Sequence, residues 1–214
     1  MRRIVSIIFV LLVVTAILGV QSSVVARTKL HGAYAVTSAR TCTVTNNSPT
    51  PTSFGIDPSG APTLIPAGGV FRQESSDNSI ETFNGDGTGT TVGRSKTMNI
   101  SNFNVGFSTI SLTEFTIPFT YVVNDDDTVD IRFGVGTATT ILGAGAGNII
   151  TVGPRSARAQ IAAGGKIIVS APATTIEQET LFFQVPNDGS FNRTRLCTRS
   201  STAAKLNGGD RDND

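Results

Sequence analysis

The sequence predicts an all-β protein: a single antiparallel up-and-down barrel of about eight strands, with a two-sheet β-sandwich as the alternative. Three observations lead there. Apolar and polar residues alternate with a period of two over several segments, turn-forming residues separate those segments, and Cys42 and Cys197 stand near the two ends of the strand-forming region. Thr, Ser, Asn, Gly and Val are abundant, and long Leu, Ala, Glu and Lys stretches at helical spacing are absent, a composition that suits half-buried pleated strands.

The clearest strand is Thr113 to Val123, where Phe115, Ile117, Phe119, Tyr121 and Val123 alternate with Glu114, Thr116, Pro118, Thr120 and Val122. A turn of Asn124 to Asp127 follows, and then Val129, Ile131, Phe133 and Val135 alternate with Asp130, Arg132 and Gly134, so the two segments form a hairpin with one apolar face. Pro118 has no N–H to give a ladder and marks an edge, a bulge or a break in pairing. A second hairpin turns at Gly85-Asp86-Gly87 between Glu81–Asn84 and Thr88–Ile100, because Gly and Asp or Asn supply the positive φ a tight reversal needs. Further strands are expected at Gly32–Thr45, Gly69–Glu74, Thr139–Val152, Ala157–Ala162, Lys166–Ala171, Thr180–Val185 and Ser190–Arg199. Residues 46–68 contain Pro49, Pro51, Pro58, Pro62 and Pro66 and read as a long irregular loop, a candidate lid or rim.

Consecutive hairpins leave two bare sheet edges unless the sheet closes, and a Cys on the first strand with a Cys on the last makes those edges neighbours. A structural disulfide between Cys42 and Cys197 is therefore expected. Their spacing has none of the tight Cys-x-x-Cys pattern of redox or zinc sites.

Residues 1–26 read as a secretion leader. Arg2 and Arg3 precede an apolar run from Ile4 to Val20, and Val24-Val25-Ala26 offers modest and small side chains for cleavage after Ala26. An uncleaved anchor is the alternative, although the run is short for a span of about 20 residues. A secreted or periplasmic location follows, with the barrel over 27–204 and a polar tail over 205–214. The chain has 17 basic and 16 acidic residues and no Trp. Loss of Arg2 and Arg3 leaves it near neutral, without the basic footprint that nucleic acid or an anionic membrane surface requires.

His31-Gly32-Ala33-Tyr34 is similar to the Gly-x-Trp opening of lipocalins, with Tyr34 in the Trp position, and the resemblance implies that Arg195 or Arg199 covers that ring. The Gly-x-Tyr start, the turn Phe83-Asn84-Gly85-Asp86-Gly87-Thr88-Gly89 and the ending Arg195-Leu196-Cys197-x-Arg199-Ser200 resemble exported bacterial proteins of about this length. That likeness implies a calycin-like barrel near the allene-oxide-cyclase and dirigent barrels, and it implies no activity.

Candidate chemistry is sparse. His31 is the only histidine, which argues against His-based catalytic triads and most zinc or iron sites. Asp125, Asp126, Asp127 and Asp130 lack the glycine and distal Glu of a calcium loop and read as a solvated hairpin tip. Gly143 to Gly147 precedes another strand, not a helix start, so it reads as a turn or bulge and not as a phosphate loop. No catalytic residue, metal ligand or cofactor is assigned. The candidate pocket comprises Tyr34, Phe115, Ile117, Phe119, Tyr121, Val129, Ile131 and Phe133, an apolar face that either cups a small hydrophobic molecule or fills the core. A non-enzymatic binding barrel is the first expectation, a structural or surface-interaction protein the second, and a cyclase-like barrel enzyme the third.

Overall fold

A computed structural model describes residues 30–45, 70–100, 108–170 and 177–206. The expected leader, the Pro-rich 46–68 loop and all of the expected polar tail beyond Leu206 lie outside the described residues. The described chain is all-β, with one short 3-10 turn at Ala163–Gly165. Its strands are β1 (Gly32–Thr45), β2 (Val70–Phe83), β3 (Thr88–Ile100), β4 (Ser108–Val123), β5 (Thr128–Phe133), β6 (Gly136–Gly143), β7 (Ile149–Val152), β8 (Arg155–Ala162), β9 (Ile167–Ser170), β10 (Glu177–Val185) and β11 (Gly189–Lys205).

All pair antiparallel, and β1 pairs with β11, so the sheet closes on itself. The ring holds eight strands at every level. Toward one end it runs β1-β2-β3-β4-β5-β8-β9-β11; toward the other, β6, β7 and β10 bridge β4 to β11. The long strands β4 and β11 thus serve both levels: β4 pairs with β5 through Phe119–Val123 and with β6 through Ser111–Thr116. An eight-stranded meander in which three strands are interrupted is the simplest description, and closure leaves no bare edge.

The interruption between β5 and β6 lies where the sequence placed Pro118. Phe133 pairs with Phe119 and Thr137 with Thr116, so Gly134, Val135 and Gly136 face only Ile117 and Pro118, a bulge of one residue. The bulge reverses the inward parity. Val135, expected on the inner face, is 60% exposed. The rest of the expected register holds: Phe119, Tyr121, Val129, Ile131 and Phe133 are buried, while Thr116, Thr120 and Arg132 are exposed.

Other differences are of extent. The single strand expected over Thr139–Val152 is two strands, β6 and β7, reversed through Gly143, Gly145 and Gly147, all at positive φ. The segments expected as strands at Gly69–Glu74 and Glu81–Asn84 fall, within the described residues, at the two ends of one strand, β2, which runs Val70–Phe83. Lys205, expected in the tail, ends β11 opposite Tyr34.

The turns after β2 and β4 share the pattern Asn-x-Asp-x-Thr. In both, the Asp carboxylate accepts from the Thr two residues on, Asp86 from Thr88 and Asp126 from Thr128, through its backbone N–H and its hydroxyl. Asn84 and Asn124 close each turn by donating their backbone N–H to that Thr carbonyl at 3.0 and 2.8 Å. The Asp run therefore works as turn chemistry. No metal-binding cluster occurs among the described residues.

Cys42 and Cys197 lie directly opposite each other on β1 and β11, at disulfide distance, with Cα atoms 4.1 Å apart. The link joins the first and last strands across a separation of 155 residues, for which chain entropy allows on the order of 4–5 kcal/mol. Among the described residues, no helix is long and apolar enough to cross a membrane.

Candidate functional site

One end of the barrel interior is filled. Phe83 is its hub, edge-on to Tyr34 at 5.2 Å, Phe119 at 5.1 Å and Tyr121 at 4.9 Å, and Phe133 extends the cluster from Phe119 at 5.8 Å. Such edge-to-face contacts add to the burial of large apolar area. The absence of a side chain at Gly89 makes the room: a Cβ there would stand 2.3 Å from the Phe119 ring. The two buried hydroxyls are satisfied, Tyr34 donating to the Gly165 carbonyl and Tyr121 to the Leu30 carbonyl at 2.5 and 2.8 Å. Leu30 itself is fully buried beneath them.

Of the candidate pocket residues, Tyr34, Phe119, Tyr121 and Val129 belong to this packed end and line neither of the two interior cavities. Phe115, Ile117, Ile131 and Phe133 do line cavities. Arg195 and Arg199, expected over Tyr34, have other partners, described below, and Phe83 takes the place against the tyrosine ring. His31 is exposed beside the turn glycine Gly85.

The rest of the interior is charged and hollow. Asp77 on β2 accepts from Ser38 at 2.9 Å and from Arg199 at 3.0 Å, and pairs with Arg40 at 3.3 Å. Glu179 on β10 pairs with Arg195, with Arg155 at 2.9 Å and with Arg40 at 4.0 Å. Arg195 also donates to Gln73 at 3.0 Å, and Gln73 to Asn99 at 2.9 Å. Six strands, β1, β2, β3, β8, β10 and β11, thus meet in one network. Burial alone would raise the carboxyl pKa values, but the surrounding guanidiniums overcome it: Arg40 and Arg199 hold Asp77 well below the ordinary range, and Arg195, Arg155 and Arg40 bring Glu179 to about 2. Burial, and then Arg40, lowers Arg195 to about 10 against the opposing pull of Glu179.

Two cavities adjoin the network. The outer one, of about 350 Å³, has an apolar wall from β4, β7 and β10, with Phe115, Ile117, Ile150, Val152, Leu181 and Phe183. Arg40 from β1 and Arg193, Arg195 and Arg199 from β11, with Arg155 from β8, also line it; Asp77 is the one carboxylate among its described lining residues. Arg193 lies 5.1 Å from the Phe183 and Phe191 rings, which stack on each other. The inner cavity, of about 340 Å³, lies nearer the packed end and shares Phe115, Arg155 and Arg199 with the outer one. Small inward side chains leave it open, among them Ser38, Ser79, Ala157 and Ser201.

The sequence reading placed Arg195 or Arg199 only over the Tyr34 ring and missed Arg40, Arg155 and the acids that pair with these arginines. Their only signal was parity: Arg40 shares its face of β1 with Tyr34 and Cys42, and Arg199 its face of β11 with Cys197, so fixing the direction of either anchor turns both guanidiniums inward. No protein-family model matches the chain, and no curated protein matches it.

Proposed function

We propose that this chain is an exported, non-enzymatic barrel that binds a small amphipathic acid in its interior. The observation that carries the reading is the mixed lining of the outer cavity, where one set of side chains is aliphatic and aromatic and another is guanidiniums. An apolar chain fits the first and a carboxylate the second, since a planar guanidinium recognises a carboxylate with paired hydrogen bonds. The packed end shows that these strands can fill a barrel with apolar side chains. A buried ion network is the less stabilising filling, so its retention points to a role beyond stability. The leader pattern of residues 1–26 and the cysteine pair support export to an oxidising compartment.

The test compares decanoate with decanol, which share a chain and differ in charge. We expect decanoate to bind at least about tenfold more tightly, one charge-assisted contact being worth roughly 1.5–3 kcal/mol. Equal affinity would remove the guanidiniums from recognition. Binding of neither would favour the structural or surface-interaction reading, in which the packed end is the whole purpose of the interior.

A further inference from the structure

Glu81 is the inward carboxylate that the ion network leaves out. It enters the inner cavity from β2, and among the described residues it makes no hydrogen bond or ion pair, whereas Asp77 and Glu179 are each held by two or more guanidiniums. The groups around it can be read strand by strand. On β1 its cross-strand partner is Tyr34, whose hydroxyl is committed to Gly165; on β3 it faces the uncharged Thr91. Arg155 on β8 and Arg199 on β11 act on it electrostatically and line the same cavity. Asp77 stands two inward positions along β2, already paired with Arg40 and Arg199. Asp130, Arg132 and Arg158 reach the cavity at its rim on β5 and β8.

Burial raises the pKa of Glu81, against the opposing pull of Arg199 and Arg155. Its charge is therefore costly and is sustained by two guanidiniums that also face the ligand cavity. A second anion against those guanidiniums would stand beside an ionised Glu81 in a medium of low dielectric, where like charges cannot both be kept.

We propose that the junction of the two cavities is a proton-linked anion site: a carboxylate seated against Arg155 and Arg199, which line both cavities, replaces the charge of Glu81 in the inner one, and Glu81 takes up one proton from solvent as the ligand binds. This rests on the amphipathic-acid reading above and adds a stoichiometry to it. Bound ligand and bound proton favour each other, so affinity for the anion falls as pH rises.

The experiment is calorimetric titration of the protein with decanoate in phosphate and in Tris, whose ionisation enthalpies differ widely. The dependence of the observed heat on buffer gives the protons taken up. Near pH 7 we expect uptake approaching one proton per decanoate in the wild type, falling toward zero in Glu81→Gln with binding retained. In the wild type, affinity should weaken by up to about tenfold per pH unit above the Glu81 pKa. Binding with no buffer dependence, or with an affinity flat between about pH 5 and 8, would overturn the proton linkage and leave the ligand reading standing. Uptake that persists unchanged in Glu81→Gln would assign the proton elsewhere and overturn the site. Absence of decanoate binding would overturn both.

Discussion

The two ends of the barrel interior share the long strands β1, β2, β3, β4 and β11 with unbroken alternation along β2 and β4, yet one is a solid and the other a charged hollow. Along β2 the inward positions run Phe83, Glu81, Ser79, Asp77, Ser75, Gln73; along β4 they run Tyr121, Phe119, Ile117, Phe115, Thr113, Ser111. Along these two strands the backbone is continuous, so on them side-chain volume and charge change the interior from one end to the other. At the packed end large rings fill the space between strands. Beyond it, serines and threonines leave space that arginines only partly span. The first arrangement draws its stability from burial, which is insensitive to pH, and the second from charge pairs, which are not.

The largest expected effects separate those two sources of stability. Phe119→Ala should cost about 3–5 kcal/mol in denaturant unfolding, because the ring is buried against three others and the strands cannot close on the gap. Glu179→Ala should cost a similar amount, about 3–5 kcal/mol near neutral pH, by leaving Arg155 and Arg195 buried without their partner. The pH dependence distinguishes them. Glu179 has its folded pKa lowered from 4.5 to about 2, so its contribution is complete above the unfolded value and is lost as pH falls toward the folded one. The penalty of Glu179→Ala should therefore shrink in that acid window while that of Phe119→Ala stays constant. Parallel pH profiles for the two variants would erase the distinction between the ends.

A smaller effect tests how the hollow end is held together. The paired replacement Cys42→Ser with Cys197→Ser should lower stability by about 2–4 kcal/mol, since it removes the covalent link between β1 and β11 beside the ion network and leaves only their backbone pairing. Tryptic cleavage at Arg195 and Arg199 should then precede loss of the aromatic near-ultraviolet signal from the packed end. Simultaneous loss of both would show one cooperative unit.

The smallest effect sharpens the register. Val135→Ser should change stability by no more than about 0.5 kcal/mol, as for an exposed residue, whereas Phe133→Ala, two residues earlier, should cost several. A loss above about 1.5 kcal/mol for Val135→Ser would place that side chain inward and remove the bulge opposite Pro118.

The packed end was the more legible of the two, and the physical reason lies in how alternation encodes direction. From Phe115 in β4 through β5 the inward residues are apolar and the outward ones mostly polar, so the period of two fixes both strand and facing. In the middle of β2 the inward residues are Ser75, Asp77 and Ser79 and an outward one is the apolar Ile80. Read alone, that stretch resembles a solvated loop, and the sequence shows two short segments where there is one strand. The ion network is hidden for a second reason: Arg40 meets Asp77 across 37 residues, and Arg195 meets Gln73 across 122. No local pattern links residues so far apart. The bulge sits between these cases, since Pro118 announces an irregularity without saying which side chains it reverses.

The sequence by itself determined an all-β meander with its main hairpins, the turn chemistry of Asn84–Thr88 and Asn124–Thr128, the facing of the aromatic strand and the juxtaposition of the two cysteines. Each follows from interactions within a turn, along one strand, or between the first and last elements of a closed sheet. Only the tertiary structure decided that the other half of the interior holds arginines, buried acids and two cavities. An inward charge is stable only beside its partners, and closure of the barrel is what brings β1, β2, β8, β10 and β11 to face one another.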